Sequence, residues 1–451
     1  MRIKSNFSYS IFILSTILSL ILYLLLGYFI KRTESDLLLI SYVGLFIAFI
    51  IMMSNRLTPI IILILGVTFR LLFIFSMPEL SQDYFRFLWD GNLQLMNINP
   101  YLFSPNHLIT KNNLFSIADD LYFGMGQLSN MNFSNYPPLS QWTFLIATYF
   151  GGNINNSVLI LRLIVIFFEI GTFYTLYKLM CLLKLPTTKI GWYFLNPLVI
   201  IELTGNLHGE GIMMFFFLSG ILYLYQNKII KSSILIALSI GTKLITLLII
   251  PLLYKKLGVR KSVIYYSLIF IFFSLMWIPY FENDFYVNYF QTINLWFNSF
   301  EFNASIYYII RELGYYIKGY NIIGLFGKVS PMILILSILF YTFFKNNDGL
   351  KSILKNQLFL FSFYFFIATT VHPWYIISLV VFSVLTPYFY PIIWSGTIFL
   401  SYASYKLNGV YEYPLILTIE YLIVYGFIFY EISGGENKVF KAFARNSTLL
   451  K

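Results

Sequence analysis

Cysteine and charge are both scarce in this chain of 451 residues. Its single cysteine, Cys181, excludes an intrachain disulfide, so other forces must hold the fold. Only 11% of the residues are charged, 59% are hydrophobic, and the mean hydropathy is +0.75. These values lie far outside the range of soluble domains, so we expect the lipid bilayer to be the main solvent of the chain.

Histidine is also scarce, and two common kinds of binding site are missing. The three histidines, His107, His208 and His372, form no HExxH or other zinc-binding pattern. There is no glycine-rich loop for a nucleotide. The net charge of +11 comes from Lys and Arg in short loops, so we expect no nucleic-acid partner. We expect no cofactor; a divalent metal is left open but is not predicted.

Long apolar runs dominate what is present. A spanning helix needs about 20 apolar residues. We count about twelve apolar runs as candidate spans, and several of them are shorter than this. The expected fold is therefore all-α, a polytopic transmembrane helical bundle with added re-entrant and juxtamembrane helices. The runs lie at residues 11–30, 37–53, 58–77, 157–183, 190–205, 209–226, 262–280, 329–344, 357–371, 374–389, 390–404 and 413–431.

Basic residues orient this bundle. With the N-terminus inside, most Lys and Arg residues fall on the cytoplasmic side, as the positive-inside rule requires. Both termini are then cytoplasmic, and two long segments, 78–156 and 281–328, lie outside. Lys31 and Arg32 are exceptions, because they fall on the outer side. The basic C-terminal tail carries Lys438, Lys441, Arg445 and Lys451.

Two apolar segments do not fit as simple spans. Residues 138–150 are too short to cross and predict an amphipathic helix at the outer interface, with Trp142 as its anchor. Residues 232–254 have basic flanks at both ends and predict a re-entrant hairpin broken near Lys243. Irregular backbone at membrane depth must line a cavity, so a lysine there suggests an anionic ligand such as phosphate. Arg162 and Arg70 are alternative phosphate partners.

The stretch from Ser81 to Pro105 sets two carboxylates among aromatic residues just after an apolar run. Asp83, Arg86 and Asp90 are spaced by three and four residues and would share one face of a short helix. Arg86 would hold one carboxylate ionised while the other acts as a base. Asp90-Gly91 is a turn signal. A solvated loop residue or a helix cap at the end of the third span is the alternative explanation of Asp83.

Two further motifs interrupt apolar runs. Asn206-Leu207-His208-Gly209-Glu210 places two ionisable groups in one break, which favours a binding role over a structural kink. His372-Pro373-Trp374-Tyr375 interrupts another hairpin, either as an interfacial anchor or as an aromatic contact for a sugar ring or a lipid headgroup.

These motifs together resemble the GT-C superfamily of integral-membrane glycosyltransferases, in particular the polyprenyl-phosphate-sugar-dependent and GPI-type mannosyltransferases. The resemblance spans about residues 58–375, and its motifs follow the family's order. They are the acidic first-loop motif with RFLWDG and NINPY, NYPPLSQ at 135–141, LNPL at 195–198, NLHGE at 206–210, GTK at 241–243, FEFNASIYY at 300–308 and VHPWY at 371–375.

The resemblance implies transfer of a hexose, mannose by preference, from a polyprenyl-phosphate donor to a glycan, glycolipid or protein acceptor. The reaction would occur with inversion on the non-cytoplasmic face of a bacterial or archaeal-type plasma membrane. Asp83 would be the base and Asp90 the second candidate. The candidates for donor and phosphate binding are Lys243, Arg86, Arg162 and His372, and those for sugar or acceptor binding are His208, Glu210, Asn206, Trp374 and Tyr136.

The predicted organisation has an N-terminal hairpin at 1–57, a catalytic core at 58–375, and C-terminal helices with a basic tail at 376–451. Two other functions are compatible with a polytopic chain. A lipid or sugar transporter would also contain broken helices and buried charges, although no internal repeat is evident. A polysaccharide polymerase or ligase would rely on arginines and histidines in a late loop, whereas here the acidic motif lies in an early one.

Overall fold

Helices make up almost all of the regular structure in the computed structural model, which describes residues 2–55, 57–110 and 114–435. The basic residues of the predicted cytoplasmic tail, Lys438, Lys441, Arg445 and Lys451, lie outside this range. The first nine helices are α1 (Arg2–Tyr28), α2 (Ser35–Met53), α3 (Pro59–Leu71), α4 (Asp83–Leu95), α5 (Pro105–Leu108), α6 (Ala118–Gly124), α7 (Gly126–Asn130), α8 (Pro138–Gly151) and α9 (Ile154–Leu183).

The remaining helices are α10 (Gly191–Phe194), α11 (Pro197–Val199), α12 (Glu210–Tyr225), α13 (Ile229–Thr242), α14 (Tyr254–Trp277), α15 (Phe285–Asn298), α16 (Ile306–Lys318), α17 (Ile323–Phe343), α18 (Leu350–Ile367), α19 (Ile377–Leu385), α20 (Tyr390–Thr397) and α21 (Pro414–Tyr430). Short 3₁₀ turns occupy Thr187–Ile190, Leu244–Leu248, Ile250–Leu253, Ile278–Tyr280, Pro373–Ile376 and Ile398–Ser404, and π-helical turns occupy Ile200–Gly205 and Glu431–Gly435. Strands β1 (Tyr405–Lys406) and β2 (Gly409–Val410) form an antiparallel hairpin.

Six helices in the described residues are long and apolar enough to cross a membrane, and a seventh span results if Pro197–Gly205 and Glu210–Tyr225 count together. This confirms an all-α polytopic fold but gives fewer long helices than the twelve apolar runs predicted. The difference arises because several runs form short helices. For example, α3 has 13 residues and extends only about 20 Å, whereas the hydrocarbon core is about 30 Å thick.

Prolines explain several of these short helices. Pro59 occupies the first turn of α3, where its missing N–H costs nothing, and the Thr58 hydroxyl accepts a hydrogen bond from the Ile61 N–H. Pro373 and Pro391 likewise lie in the first turn of short elements, at the starts of the predicted runs 374–389 and 390–404. Proline cannot continue a preceding helix without losing a hydrogen bond, so an apolar run becomes several turns.

The chain folds into two compact units, each discontinuous in sequence. Unit 1 comprises the described residues within Met1–Leu80, Ile170–His208 and His372–Lys451, and unit 2 comprises Ser81–Glu169 and Gly209–Val371.

In unit 1, helix α2 packs on the C-terminal segment that precedes the hairpin. Tyr42 stacks on Phe399 with ring centroids 3.7 Å apart and donates a hydrogen bond to the Ser395 carbonyl. Arg32 lies over the Tyr405 ring and donates a hydrogen bond to the Leu80 carbonyl. Arg32 therefore has a structural role, which accounts for a basic residue that departs from the predicted charge bias.

In unit 2, helix α8 packs on both α4 and α13. The close approach of α4 to α8 depends on Gly91, because a Cβ at that position would lie 2.6 Å from the Phe144 carbonyl oxygen. The sequence predicted a turn at Asp90-Gly91, and this prediction was wrong: both residues lie inside α4. Here glycine permits close helix packing.

Candidate functional site

Helix α4 of unit 2 carries both first-loop carboxylates. Asp83 is its first residue and is half-buried, and its backbone N–H donates to the Ser81 hydroxyl at 3.3 Å. The predicted short helix with Asp83, Arg86 and Asp90 on one face is thereby confirmed. A negative charge is stabilised in the first turn of a helix, so Asp83 occupies a favourable place for an ionised carboxylate.

The Asp90 carboxylate is fully buried and is surrounded by donors. Its Oδ1 accepts from Arg86 Nε at 2.8 Å, and its Oδ2 accepts from the Ser134 hydroxyl at 2.5 Å and from Gln141 Nε2 at 2.9 Å. Charge-assisted bonds of this kind stabilise the anion and fix its geometry. Asp90 therefore fastens α4 to the segment 134–141.

Two nitrogens of the Arg86 guanidinium, Nε and Nη1, are also hydrogen-bonded. Besides its bond to Asp90, its Nη1 donates to the carbonyls of Ser129 at 2.7 Å and Asn132 at 2.9 Å. Its side chain is only 4% exposed. The sequence named Arg86 as a candidate ligand for the donor phosphate, and this stays a prediction; in the structure its Nε and Nη1 bind the Asp90 carboxylate and the protein's own backbone.

The hydrogen-bond network continues from Gln141 towards the end of α14. Gln94 Nε2 donates to Gln141 Oε1 at 3.0 Å, and Gln94 Oε1 accepts from the Tyr280 hydroxyl at 2.8 Å. Asn99 Nδ2 donates to the Tyr280 carbonyl at 2.9 Å. These polar side chains join helix α4 to Tyr280, which directly precedes the second predicted outer segment. Gln94 and Tyr280 are 186 positions apart in the chain.

An aromatic cluster packs beside this network. It contains Tyr101, Tyr280, Phe285 and Tyr289, and Trp142 packs against it. Trp142 was expected to be an interfacial anchor of helix 138–150; the helix is confirmed as α8, and its position at the interface stays a prediction. Burial raises the pKa of the Tyr101 hydroxyl well above its usual range, so this group stays neutral.

Tyr136 was a candidate for sugar or acceptor binding. Its carbonyl accepts a hydrogen bond from the Tyr101 hydroxyl at 2.6 Å. Its ring packs edge-on against Phe87 and Phe144, with centroids 5.1 and 5.3 Å away. The half-buried Tyr136 thus forms part of the packing between α4 and α8.

Lys243 follows the break that the sequence predicted. Helix α13 ends at Thr242, and Lys243 has an extended backbone with φ −149° and ψ 130°. Its ammonium group forms an ion pair with Glu210, the first residue of α12. The Lys243 side chain is 24% exposed and that of Glu210 4%.

Two adjacent side chains of α8 link helix α4 with the end of α13, which Lys243 follows. Gln141 holds Asp90, and Ser140 donates a hydrogen bond to the Thr242 carbonyl at 2.8 Å. Sequence reasoning gave these residues no role, although both belong to the NYPPLSQ motif. The available signal was a pair of polar residues near the start of an otherwise apolar helix.

Unit 1 contains a second buried polar cluster, centred on Glu202. Its Oε1 accepts from the Tyr402 hydroxyl at 2.8 Å, and its Oε2 accepts from Asn206 Nδ2 at 3.0 Å. His208 Nε2 lies 3.7 Å from Oε2. Asn206 and His208 were predicted from the sequence as site residues, whereas Glu202 and Tyr402 were not.

The histidines of two separate motifs meet at one tryptophan in unit 1. The His208 ring stacks on Trp374 with centroids 3.8 Å apart, and the His372 ring stacks on Trp374 at 4.4 Å. His208 is 1% exposed, and Trp374 and His372 are each 8% exposed. We call this arrangement the ring stack.

The two remaining arginine candidates are fully buried. Arg70 donates to the carbonyls of Gly66 and Phe194, and its guanidinium lies 4.0 Å from the centroid of the Phe194 ring. Arg162 lies on α9, as does the buried Glu169. Within the described part of the chain, no three His, Cys, Asp or Glu side chains are grouped so as to hold a metal ion.

The described residues combine apolar helices long enough to span a membrane, a helical core with several breaks, and a carboxylate at the start of a helix in the predicted outer segment 78–156. This combination is expected of a GT-C membrane glycosyltransferase. The comparison with protein families identifies one matching family. The family model for the N-terminal domain of alpha-(1->6)-mannopyranosyltransferase matches residues 31–257, half of the chain. The chain belongs to this family of GT-C mannosyltransferases. No curated protein and no solved structure matches it.

Membership makes the protein a membrane-bound hexosyltransferase of the mannosyltransferase type. It thereby supports the glycosyltransferase interpretation over the transporter and the polymerase or ligase.

Proposed function

We propose that the protein transfers mannose from a polyprenyl-phosphate donor to an acceptor hydroxyl on the non-cytoplasmic face of the plasma membrane. The name of the matched family suggests an α-(1→6) bond, so the acceptor would be a primary hydroxyl of a mannose-containing glycan or glycolipid. The observation that carries this proposal is the half-buried Asp83 at the start of α4, a helix whose second carboxylate, Asp90, is already engaged by three donors.

In this reaction the acceptor oxygen attacks the anomeric carbon, and the bond from that carbon to the phosphate oxygen breaks. The electron pair leaves with the lipid phosphate, and the acceptor's proton passes to the Asp83 carboxylate. A single displacement inverts the anomeric centre, so a β-linked donor gives an α-linked product. General-base assistance of this kind requires a carboxylate within hydrogen-bond reach of the hydroxyl.

Wild-type protein in sealed right-side-out vesicles tests this function. Each vesicle preparation receives radiolabelled polyprenyl-phosphate mannose in the membrane and a soluble α-mannoside that cannot cross it. We expect labelled α-(1→6) product outside the vesicles. Product formed only from a nucleotide-linked mannose would reject the lipid donor. Product formed only in inverted vesicles would reject the outer-face assignment and the cytoplasmic termini.

We also propose that the reaction needs no bound divalent metal. The second carboxylate of the acidic helix, Asp90, already receives hydrogen bonds on both oxygens, so the helix offers no free pair of carboxylates for an ion. Transfer by the purified protein should therefore proceed at an unchanged rate after treatment with EDTA. Loss of transfer that returns on addition of Mg²⁺ or Mn²⁺ would contradict this expectation.

Lys243 is our candidate for binding the donor phosphate. The ion pair with Glu210 keeps its charge compensated, and its partial exposure leaves the ammonium accessible to an anion. A cation near the departing phosphate stabilises the charge that develops there.

Replacement of this cation should weaken both donor binding and turnover. We expect Lys243→Gln to raise the KM for the lipid donor and to lower kcat, together costing about 10²-fold in kcat/KM. Lys318→Gln, at the exposed end of α16, is the matched control. An unchanged KM for the donor in Lys243→Gln would remove Lys243 from the phosphate site.

A further inference from the structure

Glu202 stands out among the buried acids of unit 1, because the backbone around it is irregular. It lies in the π-helical turn Ile200–Gly205, a rare geometry that occurs frequently at functional sites. Shortly after this turn, Leu207 has a φ of +66°, which is unfavourable for a bulky side chain. Strained residues persist only where the surrounding structure enforces them, and they cluster at functional positions.

Glu202 contacts the ring stack at one of its members, His208. Tyr402 and Asn206 each donate to one of its oxygens, and these bonds fix the carboxylate in the interior. The carboxylate then faces His208 Nε2 at 3.7 Å, and the His208 backbone N–H donates to the Glu202 carbonyl at 3.2 Å. Glu202 therefore holds the backbone of His208 through a hydrogen bond, and its carboxylate lies beside the His208 ring at a distance too long for a hydrogen bond.

Two other buried glutamates of unit 1 accept hydrogen bonds from neighbouring elements. Glu431 accepts from the backbone N–H groups of Phe389 and Tyr390, at 2.7 and 3.0 Å, and so caps the start of α20. Glu420 accepts from Trp394 Nε1 at 3.0 Å and joins α21 to α20. Glu202 differs because it faces a residue of the ring stack.

We propose that Glu202 is a positioning residue for mannosyl transfer, which acts through His208 and Trp374 to orient the imidazole of His372. This inference rests on the proposed function. The Glu202 carbonyl holds the His208 backbone and its carboxylate lies beside the His208 ring, His208 stacks on Trp374, and Trp374 stacks on His372. An imidazole so oriented serves as a hydrogen-bond donor to a phosphate oxygen.

The kinetic test compares Glu202→Gln with the matched isosteric variant Glu420→Gln, whose side-chain oxygen still accepts from Trp394. Because the orienting effect concerns charge that develops during reaction, we expect Glu202→Gln to lower kcat about tenfold, with the KM for the lipid donor changed less than about twofold. Glu420→Gln should retain wild-type kinetics. Equal kinetics of the two variants would overturn the proposal.

A second readout does not depend on activity. The fluorescence of Trp374 is isolated by subtracting the spectrum of a Trp374→Phe version from that of each protein. We expect Glu202→Gln to change this difference spectrum, because the ring stack loosens, and Glu420→Gln to leave it unchanged. An unchanged Trp374 signal in Glu202→Gln would overturn the positioning role even if wild-type protein shows no transfer, a result that would separately reject the proposed function.

A milder variant covers the case in which Glu202→Gln does not fold. Tyr402→Phe removes one donor to Glu202 and keeps the carboxylate. We expect it to reduce kcat in the same direction by a smaller factor and to shift the Trp374 signal. A folded Tyr402→Phe protein with wild-type kcat and wild-type Trp374 emission would contradict the proposal.

Discussion

Asp83→Asn should abolish mannosyl transfer while the protein remains folded. The amide has nearly the same shape as the carboxylate but cannot take the acceptor's proton, so we expect the rate to fall about 10²- to 10⁴-fold. The backbone N–H of Asp83, which bonds to Ser81, is unaffected by the change. The measurement is transfer from radiolabelled polyprenyl-phosphate mannose by matched preparations with equal melting temperatures.

The control for this variant is Asp119→Asn. Asp119 belongs to the same predicted outer segment but is exposed on the short helix α6. Its replacement changes the charge of the segment by the same amount and should leave transfer unchanged. A fall in activity in both variants would indicate an effect of charge on the membrane surface. Full activity of Asp83→Asn would remove the proposed base and move the search to Glu210.

The sequence predicted local structure well where periodicity alone determines it. Spacings of three and four residues place Asp83, Arg86 and Asp90 on one helix, and α4 confirms this. The same spacing cannot say which carboxylate Arg86 binds. That choice depends on Ser134 and Gln141, which surround Asp90 and lie more than 40 residues further along the chain.

Tertiary packing also overrode one local signal. Asp90-Gly91 has the composition of a turn, yet the helix continues because Gly91 allows the Phe144 backbone to approach. Trp142 was predicted as an interfacial anchor, which stays a prediction, and the structure adds its packing against the aromatic cluster around Tyr101. Propensity is a weak prior in such places, since contacts distant in sequence decide the outcome.

The position of Glu202 inside an apolar run was a signal that the sequence already contained. An ionisable residue inside an apolar run is a candidate functional residue by default, and Glu202 follows the apolar residues 198–201 directly. The neighbouring NLHGE motif was predicted as a site instead of Glu202. The stacking of His208 and His372 on Trp374 was not predictable, because the two motifs lie about 160 residues apart and meet only in the folded unit.

Asp90→Ala should destabilise the protein strongly, in contrast to Asp83→Asn. The change leaves the Arg86 guanidinium buried without its carboxylate, and breaking a buried pair in this way costs about 3–5 kcal/mol. It also removes the acceptor of Ser134 and Gln141, so the contact of α4 with α8 is weakened. The free energy of unfolding, measured with denaturant in detergent micelles, should fall by this amount.

The double variant Arg86→Leu with Asp90→Leu separates the ion pair from the other contacts of Arg86. Replacing both partners by apolar residues removes the stranded charge, so the double variant should be more stable than Asp90→Ala. It should remain less stable than wild type, because Arg86 also donates to the carbonyls of Ser129 and Asn132. If Asp90→Ala unfolds at the wild-type denaturant concentration, Asp90 does not hold α4 in place. Its carboxylate would then again be a candidate base alongside Asp83.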